Sequence, residues 1–154
     1  MASLHLTLAL LVSAVVAQGG CVQGQARQVA YPAVLSSGFV AAHGWRVFSE
    51  VFPVLQPGGF RIQLSPDGSA ETSNLAGVAA WAVNTQGELE LRAPGGQNLW
   101  TFKWYPHKGL LVSCPRNRHM PVPTVLAREG LTHADVTERL RALMLERCAV
   151  EDAG

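Results

Sequence analysis

Apolar and polar positions alternate with period two through much of residues 45–128. Phe60, Ile62 and Leu64 alternate with Arg61, Gln63 and Ser65, and Leu89 and Leu91 with Glu88, Glu90 and Arg92. Ala79, Trp81 and Val83 form a third alternating set, and Trp100, Phe102 and Trp104 share one side with Thr101, Lys103 and Tyr105 on the other. That period marks half-buried strands, each with one face toward a core. Trp45–Phe52, Leu110–Cys114 and Val122–Arg128 read as further strands, and Ala70–Asn74 as a weaker, edge-like one. Pro66-Asp67-Gly68, Asn84-Thr85-Gln86-Gly87, Pro94-Gly95-Gly96 and His107-Lys108-Gly109 break the chain between runs. Eight short runs with turns every ~8–12 residues predict a mainly β fold, an antiparallel up-and-down meander closing into a small barrel.

The period then changes to that of a helix. Thr132 is the N-cap, Asp135 completes an acidic variant of the capping box, and Leu131 with Val136 fits the hydrophobic staple. Val136, Leu140, Leu143 and Met144 form one apolar stripe, and Asp135 stands four residues before Arg139. A C-terminal α-helix over 132–148, docked on the sheet by that stripe, is expected.

The first 17 residues carry a different signal. Leu6–Ala17 is an apolar run too short to span a bilayer, and it ends in small residues at Val15 and Ala17. This is the layout of a secretory signal peptide, with the mature chain starting at Gln18. Residues 18–43 are rich in turn formers and free of acid, which reads as a linker or as a second targeting segment. Residues 44–154 then form the barrel-like domain with its helix. Secretion is the expected destination, and import into a plastid by a two-part leader is the alternative. No other stretch is long and apolar enough for a transmembrane span.

Charge adds little on the scale of the whole chain. Twelve Lys and Arg against 11 Asp and Glu leave a net charge of +1, which gives no general case for nucleic acid. The distribution is uneven, because Leu91–Arg128 holds no acid but carries Arg92, Lys103, Lys108, Arg116, Arg118 and Arg128 with His107 and His119. Such a face suits an acidic protein or an anionic surface, although a solvated face is the ordinary outcome of a charge run. The three cysteines, Cys21, Cys114 and Cys148, make no zinc-ligand spacing. A disulfide Cys114–Cys148 or two buried thiols both fit.

The meander followed by a helix resembles the lipocalin and calycin-like barrels over roughly Gly44–Val150. Gly44-Trp45 stands where that family has a Gly-x-Trp, but the two residues are adjacent here, so the motif is not matched. The resemblance implies that Arg128 lies over Trp45 and that the barrel has an interior for a ligand. Trp81, Trp100, Phe102 and Trp104 would form its apolar wall, with Lys103, Lys108 or Arg118 meeting a polar end at the rim. The expected function is non-catalytic binding of a small apolar or amphipathic ligand, with no cofactor or metal. The alternative is a protein-interaction or assembly module that uses the basic loop face and has a filled core. Catalysis would have to come from Cys114 with His107 and His119, or from Glu88 and Glu90, and no nucleophile elbow, phosphate loop or zinc-protease motif is present.

Overall fold

The structure, a computed structural model, describes residues 30–49, 58–114 and 123–144. The strands are β1 (Trp45–Ser49), β2 (Phe60–Leu64), β3 (Ala70–Thr72), β4 (Ala80–Val83), β5 (Leu89–Arg92), β6 (Asn98–Tyr105), β7 (Leu110–Ser113) and β8 (Thr124–Arg128). Two helices flank them, α1 (Ser37–Ala41) before β1 and α2 (His133–Ala142) after β8. Every strand pair is antiparallel, and the order β3-β2-β1-β8-β7-β6-β5-β4 joins the last strand to the first. A bridge between Ser69 and Ala80 brings the two edges together, with Ala70 N–H donating to Ala79 O (2.9 Å) and Trp81 N–H to Gly68 O (2.8 Å). The result is a nearly closed eight-stranded barrel, which leaves little unpaired strand edge.

Alternation sorts the side chains into two cores. Inside the barrel are Trp45, Val47, Ile62, Leu64, Ala70, Trp81, Leu89, Leu91, Phe102, Trp104, Leu111 and Leu126. Outside it, Phe48, Leu110, Val112, Val125 and Ala127 pack under Val136 and Leu140 of α2. β7 and β8 are therefore buried on both faces, which explains why they read as continuous apolar runs without alternation.

Residues 30–43, the later part of the stretch that reads as a linker or second targeting segment, pack on the barrel. Leu35 and Val40 are buried in the inner core, and Tyr31 and Phe39 pack against it. The indole of Trp45 donates to Val40 O (2.9 Å) and that of Trp104 to Pro32 O (2.8 Å), so this segment plugs one end of the barrel. Apolar residues at 31, 35 and 39 recur every four positions, the signal that a reading based on Gly and Pro content passes over.

The C-terminal helix is shorter than its apolar stripe predicts. Thr132 and Asp135 do form the reciprocal capping box. Leu143 caps the other end, Met144 turns to φ 55° and is exposed, and only Val136 and Leu140 of the stripe are buried. Asp135 is occupied by Thr132, while Arg139 donates through Nη1 to Lys108 O (2.6 Å) instead of pairing along the helix. Residues 145–154, including the rest of the expected helix and Cys148, lie outside the described residues, as do the leader and all of 18–29.

Candidate functional site

The barrel has two unlike ends. At the plugged end lie the start of β1, the turns after β2, β4 and β6, and the close of β8. At the other end, which we call the mouth, lie the β3–β4 and β5–β6 turns and the β1–β2 and β7–β8 connections. The last two fall largely outside the described residues.

The interior changes character from one end to the other. The plugged half is filled by large side chains: Trp45, Leu89 and Phe102 are fully buried, and Tyr31, Phe39, Trp45 and Trp104 pack ring against ring at 5.7–6.4 Å. Toward the mouth, Phe60 and Trp100 are packed on the same core but only half-buried. Trp100 stacks on Phe102 with ring centroids 6.3 Å apart. It stands beside an irregularity of the β5–β6 ladder, where Leu91 pairs with Trp100 but Arg92 with Asn98, leaving Leu99 as the extra residue. Bulges at barrel rims re-aim neighbouring side chains.

Hydrogen bonding separates the tryptophans in the same way. The indoles of Trp45, Trp81 and Trp104 each donate to a backbone carbonyl, the second to Ser65 O at 2.9 Å. Trp100 has no such partner among the described residues. A buried indole N–H ordinarily finds one.

Two inward-facing hydroxyls occur at the mouth. Ser113 follows Leu111 on β7, Thr124 precedes Leu126 on β8, and the two are cross-strand partners at 4% and 7% exposure. Ser49 on β1 continues the row opposite Thr124. These residues escape an apolar-pattern reading because they are polar, but period two from Leu111 and Leu126 places both inside.

The predicted cations do not gather at the mouth. Lys103 is exposed on the outer face with Nζ 5.8 Å from the Tyr105 ring centroid, and Lys108 sits in the turn at the plugged end. Arg118 lies outside the described residues, with Arg116 and His119. Arg128 faces Trp45 across the β1–β8 ladder, but its guanidinium lies over Tyr31 at 5.8 Å, so the plug intervenes in the place the family resemblance gives to tryptophan. Arg92 is paired with Glu90 (2.6 Å), and that bond, with a second from Asn84, holds the Glu90 carboxyl below its usual range. The described cations of the acid-free run are thus spread over several faces.

The catalytic alternatives lose parts. Cys114 is in a disulfide, its partner outside the described residues, and so is not a free thiol. Glu88 and Glu90 both accept from Asn84 Nδ2 on the outer surface. Among the described residues no group of three or more His, Cys, Asp or Glu could hold a metal ion, and no helix is long and apolar enough to cross a membrane. A hollow of about 570 Å³ lined by Arg61, Gln63, Glu71, Thr72 and Ser73 lies at β2 and β3, and none of the predicted site residues is among that lining. Compared with protein families, curated proteins and solved structures, the chain shows no significant match.

Proposed function

We propose that this protein is a non-catalytic carrier, a lipocalin-like barrel that takes a small apolar or amphipathic molecule into the half of its interior nearest the mouth. Trp100 carries the reading. It faces inward yet is half-buried, it stacks on Phe102, and it alone of the four tryptophans lacks a hydrogen-bond partner among the described residues. An apolar wall left accessible inside a rigid barrel is what a small-molecule site requires. The fully packed plugged half supports a compact ligand over a long one.

Export fits the same picture. A disulfide at Cys114 supports passage through an oxidising compartment, as a secretory leader implies. Plastid import remains compatible only if processing stops before Tyr31, since cleavage near residue 40 would remove the plug.

The filled plugged half is also what a protein-interaction module with a solid core would show. Tryptophan emission separates the two. Saturable quenching by a panel of apolar compounds, lost in Trp100→Leu with the far-ultraviolet spectrum unchanged, is the carrier's result. No response to the panel is the result of the interaction module.

A further inference from the structure

We infer that the polar end of the carried molecule is neutral, a hydroxyl or carbonyl, and that Ser113 and Thr124 hold it inside the mouth. This rests on the carrier reading. Both residues are more than nine-tenths buried, and neither hydroxyl has a hydrogen-bond partner among the described residues. Among those residues, no side-chain oxygen sealed from solvent lacks a partner, so each of the two hydroxyls keeps some contact with solvent. A polar group is placed in a barrel interior at a cost unless it is satisfied there.

Their neighbours set the chemistry. Ser113 and Thr124 are directly opposed on β7 and β8, which brings their Cβ atoms to about 4.5–5.5 Å. A bound hydroxyl can therefore accept from one of them and donate to the other, and a bound carbonyl can accept from both. β6 runs beside β7, and its inward positions there are Phe102 and Trp100, so the hydroxyl pair adjoins the apolar wall. Among the described cations, Arg128 lies at the plugged end over Tyr31, Arg61, Arg92 and Lys103 are on the outer face, and Arg46, which alternates outward between Trp45 and Val47, donates to Gly59 O (3.0 Å). A carboxylate brought against that apolar wall gives up more hydration than an alcohol does, so the neutral group is favoured.

A matched series tests this: anthracene, anthracenemethanol and anthracene carboxylic acid at neutral pH, followed by energy transfer from tryptophan. The full-length mature chain is compared with a Ser113→Ala/Thr124→Val double variant, whose side chains keep their approximate size. Anthracenemethanol should bind the native protein about fivefold to tenfold more tightly than either companion, the worth of one or two hydrogen bonds. The double variant should lose that preference and keep its affinity for anthracene. Tightest binding of the acid, or an alcohol preference that survives the double substitution, overturns the subsite and leaves the carrier. Binding of no member of the series removes both.

Discussion

The ring of Tyr31 fills the space where a side chain on Gly109 would begin. Gly109 also sits at φ 64°, a backbone region that other residues enter with strain. Contact and conformation together make the β6–β7 turn a seat for the plug. Gly109→Ala should therefore destabilise the fold by about 1–3 kcal/mol, measured by urea denaturation. An unchanged midpoint would mean that Tyr31 does not rest there.

Processing should respect the same seat. Protein from its native host is expected to lack the first 17 residues and to begin near Gln18, as intact mass would show. A recombinant chain starting at Gly44 loses buried Leu35 and Val40 and the carbonyl partners of two indoles. Truncating even one such side chain costs about 2–5 kcal/mol, so that chain should fail to fold stably while one from Ala30 folds. A native start near residue 40 would contradict the plug.

The helix docks through two side chains. Leu140→Ala should cost about 2–5 kcal/mol, because Leu140 is 5% exposed against the outer faces of β7 and β8. Leu143→Ala, at the half-buried cap, should cost less than about 1 kcal/mol. Equal losses would indicate a helix that extends past Leu143 and docks along its whole stripe.

The start of that helix should show in the pH dependence. Hydrogen bonds from the Thr132 side chain and backbone hold the Asp135 carboxyl below its ordinary value. A lowered pKa in the folded state means that the cap's contribution is complete above the unfolded value. It is lost as pH falls through the folded one. Carboxyl titration by carbon NMR should place Asp135 below the exposed Asp residues of the unfolded chain, and Thr132→Val should raise it. Identical midpoints with and without Thr132 would dissolve the capping box.

Sequence and structure agree where burial is one-sided and part company where it is not. β2, β5 and β6 alternate cleanly because solvent lies on one face, and their turns carry glycine or proline at the breaks. The plug was hidden because Gly, Ser and Pro surround the four-residue spacing of Tyr31, Leu35 and Phe39. The helix stripe overran its length because Leu143 and Met144 are apolar without being buried among the described contacts. At the site, Trp100 and Phe102 were visible as aromatics of one period, whereas Ser113 and Thr124 declare themselves only once the barrel gives their strands an inside. The described cations of the basic run part from one another because residues close in sequence alternate between the faces and ends of a closed sheet.

The four indole N–H resonances report on whether a ligand enters the barrel, read in a proton–nitrogen correlation spectrum during titration with anthracenemethanol. Trp45, Trp81 and Trp104 are tied to backbone carbonyls, and Trp100 has no such partner among the described residues. The carrier account predicts a saturable shift of the Trp100 indole, with the other three moving little. Shifts confined to the outer-face amides of β7, β8 and α2, or no shift at the Trp100 indole at saturating compound, would contradict binding inside the barrel.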